Sequence, residues 1–322
     1  MKMDFNKMLF LYTMVIGVVM SISANNLLMM WIGMEISMMS MMPLISNKNF
    51  MSSESSVKYF VIQSISSAMM MLGVLLLLTN SKIEYQMILT SSMMMKMGVA
   101  PMHNWVLEMI ESMELSAMFL IFTMMKIAPL NMISFLTFNN SIFILMSLLV
   151  GSTMGVNQNS LRKLISYSSI FNMGFILASI NMNSIWIMYM SLYSMMLAMI
   201  IMMMMKMNIS YINQMMLNEQ SMNNKMNLWM MMLAMGGMPP MTGFMMKLTV
   251  IEMMISNNEF FTSVVMIISS LMVLFYYLKM SFTSIILSST MMKWKMFLTN
   301  KSYSWPTVIN MTLMPMIMIL KT

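Results

Sequence analysis

The chain has no cysteine, one histidine (His103) and one arginine (Arg162). Without cysteine it cannot hold an iron–sulfur cluster through thiolates. A single histidine rules out a bis-histidine haem and the multi-histidine copper sites of terminal oxidases, so cytochrome b and oxidase subunit 1 do not fit. The proton channel of ATP synthase needs an arginine at mid-membrane, and Arg162 falls at the end of an apolar run. Glycine-rich phosphate loops, zinc spacings and nucleophile motifs are missing as well.

Charge is the other scarcity. Only 8% of the 322 residues are charged, 59% are hydrophobic and the mean hydropathy is +0.77. Soluble domains carry about 25% charged residues, so most of this chain is expected in lipid. The first apolar run reads as a spanning helix and not as a cleaved signal peptide. A net charge of +7 raises nucleic acid as a partner, but the basic residues lie in loops between apolar runs, where membrane topology explains them better.

Methionine is abundant: 66 residues. It is a flexible apolar filler that can replace leucine or isoleucine. An AT-rich genome that reads AUA as methionine produces such a bias, and animal mitochondria use that code.

A spanning helix needs about 20 mostly apolar residues. Eleven stretches qualify: 6–23, 25–45, 57–79, 84–106, 115–136, 141–157, 165–181, 184–205, 227–255, 260–281 and 303–320. The ninth is too long for one straight helix and contains Gly236-Gly237-Met238-Pro239-Pro240-Met241-Thr242-Gly243, which predicts two half-helices. The Ser/Lys-rich segment 280–302, with Trp294 between two lysines, reads as interfacial. Trp105, Trp186, Trp229 and Trp305 fall near span ends, where indole rings anchor.

With eleven spans, Lys2, Lys7, Lys48, Lys58, Arg162, Lys163, Lys206, Lys225, Lys279, Lys293, Lys295 and Lys301 fall on the side of the N-terminus. Lys82 and Lys321 fall on the other. Positive charge marks the inside, so the N-terminus is expected in the matrix and the C-terminus in the intermembrane space.

Four ionisable groups are left inside spans: Glu35, Lys96, Lys126 and Lys247. At the middle of a helix a side chain is about 15 Å from either surface, beyond the reach of a snorkelling lysine. Buried ion pairs that fix helix register would explain them, but such groups more often mark an ion path. Burial disfavours the charged form of an amine and a nearby carboxylate restores it. Moving Glu35 relative to Lys96 would therefore switch the lysine between holding and releasing a proton.

Prolines accompany these charges. Pro101 follows Lys96 and Gly98, Pro129 follows Lys126, and Pro239-Pro240 precede Gly243 and Lys247. Each removes a helix hydrogen bond and frees a carbonyl, and interrupted helices point at the central site of a transporter. His103 either bridges the central lysines to the matrix side or makes a hydrogen bond near the interface. Glu108, Glu111 and Glu114 share one helical face and read as solvated. Ser166, Tyr167, Ser168, Ser169 and Asn172 place hydroxyls and an amide inside a span, where they hold water or join helices.

Taken in order, these motifs resemble the subunit 2 family of antiporter-like membrane subunits in animal mitochondrial complex I (NADH dehydrogenase), in an arthropod-like form. The resemblance rests on Glu35 followed by Ser40-Met41-Met42-Pro43-Leu44, and on Lys96, Gly98, Ala100, Pro101, His103 and Trp105. It continues through Lys126-Ile127-Ala128-Pro129-Leu130, then Asn157-Gln158 leading to Arg162-Lys163-Leu164-Ile165-Ser166-Tyr167-Ser168-Ser169-Ile170, with Gly174 beyond. Last is Pro239-Pro240-Met241-Thr242-Gly243-Phe244 with Lys247. Leu107 departs from a proline frequent in relatives, and Met102 and Asn104 replace aromatics.

The resemblance implies an all-α polytopic membrane protein, one integral membrane domain over 1–322. Inverted repeats would cover roughly 81–205 and 140–282, with two broken helices, and 283–322 would hold the interfacial segment and last helix. It implies proton translocation across the mitochondrial inner membrane, coupled to NADH oxidation and ubiquinone reduction elsewhere in the complex. Glu35 would be the gating glutamate, Lys96 its partner, Lys126 the central relay and Lys247 the lysine of the second broken helix. No cofactor or metal is expected in this chain; FMN, iron–sulfur clusters and ubiquinone would belong to other subunits. Its partners would be membrane subunits, including a neighbouring antiporter-like one, and lipids. A free-standing cation/proton antiporter of the same fold is the alternative, and a structural scaffold a third reading.

Overall fold

The computed structural model describes residues 5–46, 50–79, 83–136, 140–217, 222–290 and 305–321, and within them the chain is helical almost throughout. Lys2, Lys48, Lys82, Lys293, Lys295, Lys301 and Trp294 lie outside the described residues. The described chain divides into two compact units, Met1–Phe143 and Ile144–Thr322.

The first unit begins with α1 (Phe5–Ser23) and α2 (Leu27–Ile45). They cross where both are thin. A methyl group added to Gly17 would come within 2.8 Å of the Gly33 carbonyl oxygen, and one added to Gly33 within 2.8 Å of that of Gly17. Ser21 and Ser37 line the same crossing, so small residues four apart on each helix bring the backbones together. Glu35 lies between Gly33 and Ser37 in sequence and so projects from the face of α2 turned away from this seam.

Next come α3 (Phe50–Thr79), α4 (Ile83–Met97), α5 (Asn104–Ile110), α6 (Leu115–Phe122) and α7 (Met124–Ser134). The sequence places the start of the third span at 57, whereas α3 starts at Phe50. Ser53, Ser55 and Ser56 each donate to the carbonyl three residues back, and Glu54 pairs with Lys58 at 3.0 Å. A polar stretch thus satisfies itself in helical form. Lys58 also reaches Glu108 at 3.3 Å, and Lys7 reaches Glu114 at 3.5 Å. These pairs gather the starts of α1 and α3 and the end of α5 at one end of the unit. Helix α7 packs on α1, α2, α4 and α6.

The second unit contains α8 (Ser141–Gly155, reaching back past the division), α9 (Leu161–Ala178), α10 (Asn183–Met207), α11 (Ile212–Leu217), α12 (Met222–Gly236), α13 (Thr242–Ser256), α14 (Phe260–Thr290) and α15 (Trp305–Lys321). Helix α9 is buried on all sides from Leu164 to Ala178, the state of a helix at the centre of a bundle. Gly151 makes this tight, since a Cβ there would lie 2.7 Å from the Phe171 backbone nitrogen. The loops before α9 and after α10 meet: Leu161 N–H donates to the Ser210 carbonyl and Ile212 N–H to that of Asn159.

Two sequence expectations are corrected here. The helix of the tenth span runs on to Thr290 instead of ending at 281, so residues 280–290 of the expected interfacial segment continue α14 as helix, and 291–302 lie outside the described residues. Ser281, Thr283 and Ser284 hydroxyls donate to carbonyls one turn back, which keeps the polar stretch helical. Lys225, expected in a loop, sits in α12 and is buried.

By length and composition, six described helical stretches are long and apolar enough to cross a membrane: Phe5–Ser23, Leu27–Ile45, Phe50–Leu78, Leu115–Ser134, Ser184–Met207 and Phe260–Ile286. The rest of the expected spans coincide with helix that is shorter, more polar or interrupted. Methionine fills both cores, with Met14, Met41, Met70 and Met204 fully shielded.

Candidate proton path

The backbone leaves helix between α4 and α5 and again between α12 and α13, and it does so in the same way. At the first break Gly98 has φ 67° and at the second Gly237 has φ 88°, left-handed conformations that glycine adopts without steric cost. Gly98 N–H donates to Met95 O and Val99 N–H to Met94 O; Gly237 N–H donates to Ala234 O and Met238 N–H to Leu233 O. Both pairs of bonds form the Schellman closure of a helix C-terminus. A cis peptide follows each, Ala100–Pro101 and Pro239–Pro240, inside a turn closed by Met102 N–H to Val99 O and by Met241 N–H to Met238 O, each at 2.9 Å.

The half-helices then approach closely. A Cβ on Gly98 would meet Val106 Cγ2 at 2.3 Å, and one on Gly243 would meet the Ala234 carbonyl oxygen at 1.8 Å. At these two positions only hydrogen fits.

Lys96 lies in the last turn of α4, two residues before Gly98, and is 8% exposed. Its Nζ lies 3.8 Å from Glu35 Oε1, an ion pair too long for a hydrogen bond. Glu35 Oε1 is shut off from solvent and has no hydrogen-bond donor among the described residues. The Lys96 carbonyl, one of the orphan acceptors at a helix end, is taken by Gln63 Nε2 of α3 at 3.1 Å. One turn earlier on α3, the buried Tyr59 packs on Trp105 with ring centroids 6.3 Å apart.

Lys126 is 3% exposed in α7, with Nζ 5.0 Å from the centre of the Phe122 ring, within cation–π range. No carboxylate among the described residues pairs with it. Sequence reasoning puts a helix defect at Pro129, yet Pro129 lies inside α7 and the helix parts at Thr123. The Thr123 hydroxyl donates back to Phe119 O at 2.8 Å. The parting of α6 from α7 thus falls three residues before the lysine.

Lys247 is 5% exposed in α13. Its Nζ donates to the Gly236 carbonyl, the last of α12, at 2.6 Å, and stands 5.1 Å from the centre of the Phe171 ring. The cation thus caps the C-terminal end of the preceding half-helix, where the helix dipole favours positive charge. Thr242 opens α13 and its hydroxyl donates to Asn310 Oδ1 of α15.

Of the sequence candidates, Glu35 and Lys96 come together, and Lys247 meets the second break. Lys126 stands at a break of its own. Pro101, Pro239, Pro240, Gly98 and Gly243 all belong to the two breaks. His103 lies in the first break, half-buried, with Nδ1 3.1 Å from the Pro101 carbonyl oxygen. Sequence reasoning missed Gln63, Tyr59 and Thr123. It also missed four buried tyrosines of the second unit: Tyr189, which donates to Asn172 Oδ1 at 2.9 Å, and Tyr193, Tyr276 and Tyr277. A tyrosine in an apolar helix looks like an interfacial anchor until its neighbours are known.

Comparison with known proteins gives concordant results. The family model described as NADH:quinone oxidoreductase/Mrp antiporter, TM, matches residues 24–273. NADH-ubiquinone oxidoreductase chain 2 of Locusta migratoria is 35% identical over 302 residues, covering 89% of this chain and 88% of that one. Its counterpart in Mus musculus is 35% identical over 259 residues, 74% of each. Among solved structures, a chain of respiratory complex I from Thermus thermophilus aligns with TM-score 0.77 at 16% identity, over 98% of this chain and 78% of that one. A chain of the Mrp complex of Dietzia sp. aligns with TM-score 0.71 at 14% identity, over 84% and 59%. At those identities the two structures speak for the fold alone.

Proposed function

The chain belongs to the NADH:quinone oxidoreductase/Mrp antiporter membrane family, and on that footing we propose that Glu35, Lys96, Lys126 and Lys247 carry protons through it. It is a membrane subunit of the proton-translocating NADH:ubiquinone oxidoreductase, complex I. Near-full-length likeness to chain 2 relatives supports this over a free-standing antiporter. NADH oxidation and ubiquinone reduction take place in other subunits, which hold the FMN and iron–sulfur clusters, and this chain contributes no redox group. Its partners are the other membrane subunits, a neighbouring antiporter-like one among them, and the lipids of the mitochondrial inner membrane.

The observation that carries the proton path is the coincidence of charge and helix break. Lys96 lies in the last turn of the helix before the first break, Lys126 follows the parting at Thr123, and Lys247 bonds the carbonyl that closes α12. The Glu35 carboxylate, 3.8 Å from Lys96 Nζ, can by moving switch that lysine between holding and releasing a proton. Gly98, Pro101, Pro239, Pro240 and Gly243 shape the breaks, and His103 links the first to the matrix side.

We read eleven membrane crossings, with the N-terminus in the matrix and the C-terminus in the intermembrane space, and inverted repeats over about 81–205 and 140–282. The basic residues in the loops support this orientation.

Proton translocation by the assembled complex carrying Lys96→Ala, Glu35→Ala, Lys126→Ala or Lys247→Ala tests the reading. Each variant is expected to assemble and lose most pumping. Normal pumping in all four would overturn it, and failure of assembly with pumping intact in the surviving fraction would point to a scaffold.

A further inference from the structure

The second unit holds a polar cavity of about 530 Å³, walled among others by Asn157, Gln158, Asn159, Asn213, Tyr276 and Lys279. It opens among the loop before α9, the start of α11 and α14, close in sequence to Arg162, Lys163 and Lys206. Four uncharged amides share its wall with apolar groups such as Val156, Leu164 and Ile212, and the ammonium of Lys279 disfavours a resident metal cation there. Water suits such a cavity.

Behind it stands a group of buried hydroxyls with no assigned work. Tyr276, Tyr277 and Tyr193 are each 1% exposed, and none of their hydroxyls reaches a hydrogen-bond partner at bonding geometry among the described residues. The Tyr276 and Tyr277 rings pack with centroids 4.6 Å apart. The Tyr277 hydroxyl lies near Ser168 and that of Tyr193 near Ser169. Both serines already donate to α9 carbonyls, so their oxygens are left to accept. A buried hydroxyl left unpaired is costly, and native structures relieve such groups with internal water that takes about 2–4 partners. Five oxygens converge here.

The rings of the group stand between the cavity wall and the end of α12. Tyr276 is part of the cavity wall, and a Cβ on Gly155 in the same wall would lie 2.9 Å from its ring. At the other end, a Cβ on Gly236 would lie 3.3 Å from Tyr277 Cδ2, and the Gly236 carbonyl is the one that holds Lys247 Nζ.

We propose that Tyr193, Tyr276 and Tyr277, with Ser168 and Ser169, hold a small cluster of water that conducts protons from the Asn157–Asn159 cavity to Lys247. The proposal rests on the reading of Lys247 as a proton carrier. Water in the cavity gives a proton to the internal water and receives one from bulk. Each tyrosine oxygen accepts one proton as its own hydrogen moves on, and the neutral Lys247 amine ends as the ammonium. No ion other than the proton crosses, and the hydroxyls finish as they began, reoriented. In the orientation given above, the cavity is the uptake mouth on the matrix side.

Tyr276→Phe and Tyr277→Phe, singly and together, test this in the assembled complex, since each deletes one oxygen and keeps the ring. Each single variant is expected to lower ubiquinone-linked proton translocation roughly tenfold, the scale of one lost buried hydrogen-bonding group, and the double variant further. NADH oxidation by an artificial acceptor that bypasses the membrane arm stays unchanged, and the solvent deuterium isotope effect on pumping rises. Full pumping with a wild-type isotope effect in the double variant, while Lys247→Ala abolishes pumping, overturns the water route and leaves the Lys247 reading standing. Full pumping in Lys247→Ala overturns both. If the double variant does not assemble, a water-resolving structure of the unaltered complex decides: ordered water bonded to the Tyr276 and Tyr277 hydroxyls is expected, and a dry cluster overturns the route.

Discussion

Lys247 reaches back eleven residues across a helix break to place its Nζ 2.6 Å from the carbonyl oxygen of Gly236. One cation therefore closes one half-helix while belonging to the next.

This bond fixes what its loss should do. Lys247→Met keeps most of the apolar stem but leaves the Gly236 carbonyl unpaired, a cost of about 1–3 kcal/mol. Lower thermal stability of the isolated membrane arm, together with lost pumping, is the expected outcome. Lys247→Arg is expected to restore part of the stability and little of the pumping, because a guanidinium caps a carbonyl but keeps its proton.

Gly98 combines two constraints that substitution can separate. Gly98→Ala puts an L side chain at φ 67° and drives its Cβ to 2.3 Å from Val106 Cγ2. The backbone part alone costs about 1–2 kcal/mol. Adding Val106→Ala removes the clash and leaves the backbone penalty, so the double variant should be more stable than Gly98→Ala and less stable than wild type. Thermal denaturation of the complex measures the order of the three.

Glu35 and Lys96 form an ion pair at 3.8 Å, with the carboxylate side chain 21% exposed. Glu35→Gln keeps the volume and removes the charge, and leaves Lys96 as the uncompensated buried group. Pumping should fall in Glu35→Gln and recover partly in Glu35→Asp, with assembly normal in both. Equal pumping in the two variants would separate the pair from the mechanism.

The α1–α2 seam makes a purely structural prediction. Gly33→Leu pushes a branched side chain into the Gly17 and Ser21 backbones, an overpacking cost of about 1–3 kcal/mol or more. Reduced steady-state amounts of the assembled complex are expected. Wild-type levels would mean that the seam opens in the assembly.

Sequence alone reaches the charged residues because the penalty for burying Glu35, Lys96, Lys126 or Lys247 can be judged one position at a time. The glycine–proline breaks are legible for the same reason, since Pro101 and Pro239 interrupt regular helix locally and Gly98 and Gly237 beside them admit the left-handed turn. Features that need convergence are not. Tyr193, Tyr276 and Ser169 come from α10, α14 and α9, and no periodicity in any one helix announces their meeting. Thr123 is missed because a lone threonine in an apolar run carries no local mark of the point where a helix parts. The extension of α14 to Thr290 is hidden by serines and threonines that look like loop until their hydroxyls turn back on the helix.

The methionines around the second break have a mechanical consequence. Met235, Met241, Met245 and Met246 are all buried beside the ends of α12 and α13. An unbranched thioether with three rotatable bonds changes outline by single torsions, where isoleucine or valine would have to move as a block. Half-helices bedded in such side chains can shift by fractions of an ångström without opening a void, so the seat of Lys247 is compliant by composition.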